Sequence, residues 1–232
     1  MIQLARSKKQ VSKKRALVTQ TDPSSVFAEE YRNIRTNIEF SSFDKEIKTF
    51  FVTSSNPGEG KSTTAANLAV VFAQHGKKVL LVDADLRKPT VHYTFGLNNV
   101  KGLSNLLSKQ AKLDEIVMET RVSNLYVISS GPTPPNSSRL LASQSMDDFL
   151  NQAHDLFDLV ILDTPPMLPV ADAKVLMRKI NDVVFVVRCG VTEIKDAQKT
   201  VESINQAKGN LLGVILNDKK QKNLSYYTAY GD

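Results

Sequence analysis

Short apolar runs alternate with longer amphipathic segments along most of this chain. The runs are bounded by segments of helical periodicity rather than by tight hairpin turns. Parallel strands that are covered by helices on both faces have this signature. The pattern therefore predicts an α/β fold, a three-layer, doubly wound and mostly parallel sheet, with strands in the sequences IKTFFVTSS, KKVLLVDAD, NLYVISS, FDLVILDTPP, DVVFVVRCG and NLLGVILND.

Helical periodicity predicts a helix ahead of the first strand and further helices between the strands. In the first of them, over residues 23–41, apolar side chains recur at helical spacing, and Asp22 and Pro23 are typical of an N-cap and a first helical position. The later helices are expected near residues 60–75, 103–108, 112–119, 138–155, 171–179 and 193–208.

Length and charge predict one domain with two tails. We expect a basic, flexible N-terminal arm over residues 1–22, a domain over 23–218, and a flexible, tyrosine-rich tail over 219–232. Six cations in the first twenty residues account for the net charge of +6, because the other 24 Lys and Arg equal the 24 Asp and Glu. Such an arm is typical of a solvated segment, or of one attracted to an anionic membrane or an acidic partner. We therefore expect no specific nucleic-acid binding.

Other composition signals exclude several classes of protein. No apolar run has the roughly 18 residues of a membrane span, and no apolar segment follows the basic N-terminus as in a secretory signal. We therefore expect a cytoplasmic location. Cys189 is the only cysteine and the three histidines are scattered, so no metal-ligand spacing is present.

The stretch SSNPGEGKST, residues 54–63, has the composition of a phosphate-binding loop and lies between a predicted strand and a predicted helix. Glycines let successive N–H groups face an anion at the positive end of the helix. The full pattern has a glycine where Ser55 stands, but Ser55 lies at the strand end, where no close approach to phosphate is needed. We expect the nucleotide phosphates to contact Pro57, Gly58, Glu59, Gly60, Lys61, Ser62 and Thr63.

Three aspartates follow predicted strands. Asp83 and Asp85 end one strand and Asp163 ends another, and a carboxylate buried at such a place needs a cation. These positions suit a Mg²⁺ site with the Ser62 hydroxyl, and Asp163 stands where a Walker B carboxylate is expected. The alternative for Asp85, and less so for Asp83, is that the side chain caps the next helix.

The nucleotide is expected to be ATP rather than GTP. GTP-binding proteins read the base with an Asn-Lys-x-Asp loop, whereas this chain has ILNDKK at the corresponding strand end. Asn217 would suit hydrogen bonding to the adenine edge, or it could simply cap the strand.

The chain resembles the bacterial tyrosine kinases, the autokinases of capsule and exopolysaccharide export. The motifs NPGEGKST, VLLVDADLRKPTVH, SGPTPPN, VILDTPP and GVILN occur in that family's order over residues 24–232. The resemblance implies a P-loop fold of the Walker A-prime type, the cofactors ATP and Mg²⁺, and Mg²⁺ ligands Ser62, Asp83 and Asp163. It also implies catalytic roles for Lys61, Asp83, Asp85 and Asp163, with Asp83 as our candidate for the base.

The resemblance also implies partners. The family's Glu-x-x-Arg-x-x-Arg motif matches Glu29, Arg32 and Arg35, which would form a subunit contact in a ring-shaped homo-oligomer rather than merely a solvated helix face. In such a ring the tail of one subunit would offer its tyrosines to the next, unless the tail docks on its own domain. A separate transmembrane adaptor that recruits the kinase to the inner face of the membrane, a cognate tyrosine phosphatase and other protein substrates are implied too. The expected phosphoacceptors are Tyr226, Tyr227 and Tyr230.

Two alternatives and one departure stand beside this interpretation. A partitioning or septum-positioning ATPase switch shares the fold but has a lysine where this chain has Asn56, and a nucleotide-sensing regulator would use the same residues for binding only. The family commonly shows proline and glutamate where this chain has Ser137 and Arg139, which makes the helix after that loop the least certain element.

Overall fold

The computed structural model describes residues 17–41 and 46–219. Seven strands form one sheet in the order β3-β4-β2-β5-β1-β6-β7, and every neighbouring pair is parallel except β3 with β4. The predicted, mostly parallel sheet is thereby confirmed. The strands are β1 (Thr49–Ser54), β2 (Val79–Asp83), β3 (Met118–Glu119), β4 (Leu125–Ile128), β5 (Leu159–Asp163), β6 (Asp182–Arg188) and β7 (Asn210–Asn217).

Helices cover both faces of the sheet. The helices are α1 (Val18–Thr21), α2 (Val26–Phe40), α3 (Lys61–Gln74), α4 (Val91–Phe95), α5 (Leu103–Leu107), α6 (Ser137–Leu141), α7 (Gln144–Leu156), α8 (Asp172–Leu176) and α9 (Ile194–Gln206). The apolar side chains of α2 to α4 join one core with one face of the sheet, and those of α5 to α9 join a second core with the other face. Central strands such as β2 and β5 are buried along their whole length, as parallel strands between two helical layers must be.

The start of the domain differs from the prediction. Leu17 is buried and joins the core on the α3 side, although it falls in the predicted arm. The backbone N–H and the hydroxyl of Thr19 both donate to the side-chain oxygen of Asn67, at 3.1 and 2.9 Å. The described part of the N-terminus is therefore packed on the domain from Leu17 onward, because an apolar and a hydrogen-bonding side chain both find partners on α3.

The cap of α2 also differs from the prediction. Ser25, rather than Asp22, is the N-cap, and its hydroxyl accepts from the backbone N–H of Ala28 at 3.2 Å. Asp22 instead accepts from Ser25 through its carbonyl oxygen, so it belongs to the preceding turn. Both residue types cap well, and the turn at 22–25 delays the helix by three residues.

Two segments between β2 and β4 were predicted wrongly or missed. The helix expected over 112–119 is only a 3₁₀ helix over Leu113–Glu115, and Met118 and Glu119 pair with β4 as an antiparallel edge strand. The helix α4 was not predicted. The 3₁₀ turn, the two-residue β3 and the five-residue α4 show too little periodicity in the sequence to be told from loops.

No helix among the described residues has the length and the apolar character that crossing a membrane requires. The N-terminal residues 1–16 and the tail from 220 onward, which contains the three candidate tyrosines, lie outside the described residues.

Candidate functional site

The candidate site lies at the carboxyl ends of the central strands. β5 runs between β2 and β1, so Asp163 lies beside the β2 aspartate Asp83, with which it is paired in register. The loop 54–63 leaves the end of β1 and leads into α3. The sheet order therefore brings the three predicted motifs together at one edge, which is where open parallel sheets bind ligands.

The loop 54–63 has the geometry of an anion cradle. Gly58 and Gly60 have φ values of 83° and 100°, which L-residues with side chains rarely adopt. A Cβ atom on Gly60 would lie 2.0 Å from the side-chain nitrogen of Asn217, so no larger residue fits there. The helix α3 begins directly after Gly60, at Lys61, and thus directs its positive end toward the loop.

The ammonium group of Lys61 bridges two of the aspartates. Its Nζ atom lies 3.0 Å from Oδ2 of Asp85, 3.4 Å from Oδ1 of Asp163 and 3.1 Å from the Ser62 hydroxyl. Burial alone would lower the pKa of Lys61, but the charges of Asp163 and Asp85 outweigh it and raise the pKa. The lysine is therefore charged at neutral pH and lies where phosphate oxygens would compete with the carboxylates for it.

The two carboxylate oxygens of Asp83 have different surroundings. Oδ2 accepts from the backbone N–H groups of Thr90 and Val91, both at 2.9 Å, and so anchors the start of α4. Oδ1 is buried and has no hydrogen-bond partner in the described part of the chain. Burial and the neighbouring charge of Asp163 raise the pKa of Asp83 to about 7, against the backbone bonds and Lys61, which lower it.

Asp83 is therefore the aspartate that binds the first N–H groups of the next helix, whereas the sequence favoured Asp85 as the capping residue. Asp85 accepts from the Lys88 backbone N–H at 3.0 Å through Oδ1, which closes a turn ahead of α4, and from Lys61 through Oδ2. Neither function uses both oxygens, because Asp85 keeps Oδ2 for Lys61 and Asp83 keeps a buried Oδ1 without a hydrogen-bond partner among the described residues.

The donors present suit a hard divalent cation only in combination with a ligand. Among residues 17–41 and 46–219, no three His, Cys, Asp or Glu side chains are grouped as a metal site of their own. A buried carboxylate oxygen of Asp83, the Asp163 carboxylate and the Ser62 hydroxyl are oxygen donors of the kind that Mg²⁺ prefers. Mg²⁺ normally takes only one or two carboxylates and completes its shell with phosphate oxygens and water, so the residues fit it.

Asn217 is placed against the phosphate loop. Its side-chain amide donates to the carbonyl oxygen of Glu59 at 3.0 Å, so it fastens the loop from the end of β7. Asn217 does not simply cap its own strand, because its side chain bonds the phosphate loop. The contact with adenine stays a prediction. Ser55 is buried, and its hydroxyl lies 2.9 Å from that of Thr200 on α9, which agrees with a position outside the anion cradle.

Sequence reasoning missed an ion pair behind the aspartates. The Arg87 guanidinium donates to both carboxylate oxygens of the fully buried Asp172, at 2.9 and 3.0 Å, and the Ser138 hydroxyl donates to the same carboxylate at 2.5 Å. These bonds connect the loop after β2 with α6 and α8. The arginine two residues after Asp85 was visible in the sequence, but nothing in the sequence identified its partner 85 residues away.

The loop that departs from the family pattern still leads into a helix. Asn136 caps α6 by accepting from the Arg139 backbone N–H at 3.0 Å. Ser137 is buried at the first helical position, whereas the Arg139 side chain is exposed. The two departures thus leave α6 intact.

The predicted oligomerisation residues lie on α2. Arg32 pairs with Glu29 at 2.5 Å and Arg35 pairs with Glu39 at 2.6 Å, so each arginine has a partner on its own helix. About half of the Glu29 side chain, 52%, is exposed, but only 13% of the Arg35 side chain is.

Comparisons with known proteins agree with the site. A family model described as an AAA domain matches residues 47–216. The tyrosine-protein kinase YwqD of Bacillus subtilis (strain 168) is 49% identical over 217 residues, which cover 94% of this chain and 92% of that protein.

Solved structures support the same fold. The crystal structure of the chimerical protein CapA2B2 superposes with a TM-score of 0.86 at 40% identity, covering 88% of this chain and 90% of that one. The septum site-determining protein MinD from Pyrococcus horikoshii OT3, solved with Mg-ADP, matches less well, with a TM-score of 0.63 and 25% identity over 73% of this chain and 70% of that one. The chain therefore shares its P-loop fold with both proteins, and it is more similar to CapA2B2 than to MinD.

The raised pKa of Asp83 predicts a pH-dependent gain in stability for the variant Asp83→Asn. An amide keeps an oxygen for Thr90 and Val91 but carries no charge beside Asp163. The ordinary pKa of 3.8 holds in the unfolded chain and a value of about 7 in the folded one, so folding favours the protonated acid and wild-type stability is lost as pH rises between them. We expect the variant to be more stable than wild type by about 1 to 4 kcal/mol at pH 8 and by much less near pH 4.

Urea unfolding without metal or nucleotide, at pH 4.5 and pH 8, measures this difference. Asp114→Asn, at an exposed position, is the matched control and should show no such change. An equal gain for Asp83→Asn at both pH values would contradict the assigned pKa.

Proposed function

Because the chain belongs to the family of bacterial tyrosine-protein kinases, we propose that it is an ATP-dependent protein tyrosine autokinase that regulates capsular or exopolysaccharide synthesis and export. The observation that carries the proposal is the buried contact of Lys61 with Asp85 and Asp163, beside an anion cradle, in a chain 49% identical to a tyrosine-protein kinase. The reaction class is phosphoryl transfer from ATP to a tyrosine hydroxyl.

In this proposal the residues 57–63 bind the phosphates of ATP. The N–H groups of the loop and the start of α3 face the phosphates, and Lys61 exchanges its carboxylate contacts for contacts with the β- and γ-phosphates. Ser62, Asp83 and Asp163 would hold Mg²⁺, which neutralises charge on the phosphates when it is bound. Asn217 would reach the adenine edge while it supports Glu59.

Phosphoryl transfer also requires activation of the acceptor hydroxyl. The tyrosine oxygen forms a bond to the γ-phosphorus, the bond from that phosphorus to the β–γ bridging oxygen breaks, and ADP leaves. We assign Asp83 to accept the phenolic proton, since its buried Oδ1 has no hydrogen-bond partner among the described residues and can accept one. Before ATP binds, Asp85 holds Lys61 in place beside the phosphate loop through their 3.0 Å contact.

The assignment of the base predicts a separation of binding from chemistry in Asp83→Asn. The amide retains the α4 anchor but cannot accept the proton, so we expect an affinity for ADP without Mg²⁺ within about threefold of wild type and a loss of phosphotransfer of about 100-fold or more. Calorimetric titration with ADP in the absence of Mg²⁺ and a phosphotyrosine immunoblot with Mg-ATP measure the two quantities. Phosphotransfer at the wild-type rate would exclude Asp83 as the base.

The proposed acceptors are Tyr226, Tyr227 and Tyr230 of a neighbouring subunit. They lie outside the described residues, in a polar segment that follows β7. Since β7 ends at Asn217, beside the phosphate loop, the tail begins at the same edge of the sheet as the site.

Partners of this kinase would include itself, a membrane adaptor and a tyrosine phosphatase. We propose that a separate transmembrane adaptor activates the kinase and recruits it from the cytoplasm to the inner face of the membrane. A cognate phosphatase would reverse the modification, other proteins would serve as further substrates, and specific nucleic-acid binding is not part of the proposal.

Mixing two inactive proteins tests transfer between subunits. Lys61→Met with an intact tail serves as the acceptor, and a chain with Tyr226, Tyr227 and Tyr230 changed to Phe serves as the donor. We expect no phosphotyrosine on either protein alone with Mg-ATP, and labelling of the acceptor in the mixture, because the donor supplies the site and the acceptor supplies the tail.

Other outcomes of the mixing experiment are equally informative. Labelling of wild type but not of the mixture would contradict transfer between subunits, and labelling of the donor alone would contradict the choice of tyrosines. If wild type itself is silent, the cytoplasmic segment of the adaptor is added; continued silence would favour an ATP-driven switch without kinase activity.

The proposed ring would use the charged stripe of α2, formed by Glu29, Arg32 and Arg35. Glu29 is the most exposed of these side chains for which a pairing is described and is free to turn toward another subunit at little cost, since exposed ion pairs contribute only about 0–1 kcal/mol. A cation from a neighbouring subunit would pair with the Glu29 carboxylate in addition to Arg32 and so stabilise the contact between subunits.

Charge reversal of Glu29 should therefore dissociate the oligomer. Glu29→Arg places a third cation beside Arg32 and Arg35. We expect the association constant of the oligomer, measured by sedimentation velocity, to fall at least tenfold. Glu30→Arg, an exposed glutamate on the same helix but off the stripe, is the matched control. Equal sedimentation of both variants and wild type would contradict the role of the stripe.

A further inference from the structure

Glu59 is a buried carboxylate inside the phosphate loop, with only 1% of its surface exposed. It lies between Gly58 and Gly60, which both have positive φ values. A carboxylate at this place would repel phosphate if it turned toward the anion cradle. Its orientation therefore matters for the affinity of the loop for nucleotide.

The side chain of Glu59 is held by a hydroxyl from another part of the chain. Thr192, in the loop between β6 and α9, donates through Oγ1 to Oε1 of Glu59 at 2.7 Å. The other carboxylate oxygen accepts from the backbone N–H of Asn56 at 3.1 Å. Glu59 thus closes the phosphate loop on itself and at the same time fastens it to the loop after β6.

Thr192 is itself held in one orientation. Its backbone N–H donates to the carbonyl oxygen of Arg188, and its Oγ1 accepts from the Arg188 backbone N–H, both at 2.9 Å. Because that N–H points at one lone pair of Oγ1, the hydroxyl hydrogen is left to donate to Glu59. The turn 188–192 is therefore a rigid support rather than a chance neighbour.

Two further contacts run between the same pair of segments. The Arg188 guanidinium donates to the carbonyl oxygen of Gly58 at 3.3 Å, and the Asn56 side chain donates to Asp196 on α9 at 2.8 Å. The loop 54–63 is therefore fixed at residues 56, 58 and 59 by contacts with the end of β6, the turn after it and α9.

We propose that Thr192 is a positioning residue for nucleotide binding, which acts by holding the Glu59 carboxylate away from the anion cradle. A loop that is preorganised for an anion loses less conformational entropy on binding, so the bond should act on affinity rather than on phosphoryl transfer. The inference rests on the proposed nucleotide-dependent function of this site, and it adds a residue that contacts neither the nucleotide nor the acceptor.

The test compares Thr192→Val, which keeps the shape but removes the hydroxyl, with Thr192→Ser, which keeps the hydroxyl. We expect Thr192→Val to weaken Mg-ADP binding and to raise KM for ATP by about 10- to 100-fold, the usual range for a lost hydrogen bond to a charged group. We expect kcat at saturating ATP to stay within about twofold, and Thr192→Ser to restore the affinity. Ser203→Ala, which removes an exposed hydroxyl on the following helix α9, is the control.

A double-mutant cycle decides whether Thr192 acts through Glu59. In a Glu59→Ala background the hydroxyl has no carboxylate to hold, so Thr192→Val should add less than a twofold change. An unchanged affinity in Thr192→Val, a fall in kcat without a change in affinity, failure of serine to restore binding, or additivity in the cycle would each overturn the inference. Failure of wild type itself to bind Mg-ADP would instead overturn the proposed function.

Discussion

The buried meeting of one ammonium group with three carboxylates is the constraint on which this structure depends. Lys61 contacts Asp85 and Asp163, while Asp83 lies next to Asp163 in the sheet with a pKa raised by burial and by that neighbour. Removing such charges from water is costly, and the carboxylates together carry more negative charge than one cation compensates. A fold that retains this arrangement gives up stability at a place where phosphate and a divalent cation can complete the charge balance.

The loops around the charge cluster are held by buried carboxylates of their own. Asp83 anchors α4, Asp172 binds Arg87 together with Ser138, and Glu59 binds Thr192. The bonds of Asp172 and Glu59 join segments that are far apart in the sequence, whereas that of Asp83 closes the loop directly after its own strand. Loops fixed in this way keep backbone N–H groups and side chains in place before a ligand arrives, which is the condition for electrostatic stabilisation of a transferring phosphoryl group.

The pattern of apolar residues predicted most of the sheet and the longer helices, whereas several of the shortest elements were missed. The six predicted strands are short apolar runs, and the helices α2, α3, α7 and α9 have enough residues to show their period. The misassigned parts are a 3₁₀ helix with its edge strand near 112–119, the unpredicted α4, and Leu17, which joins the core on the α3 side. Near Ser25, two good capping residues competed, and the local turn decided between them.

The sequence by itself determined the parallel sheet, the phosphate loop and the aspartates at the strand ends, because these depend on local composition and on the period of apolar residues. Only the tertiary structure decided which carboxylates share Lys61, which oxygen of Asp83 anchors a helix, and that Asn217 and Thr192 hold Glu59. Those contacts join residues separated by 7 to 158 positions, and several of them cross between strands that are not consecutive in the chain. Strand order sets such distances, and strand order follows from how whole elements pack rather than from any local run of residues.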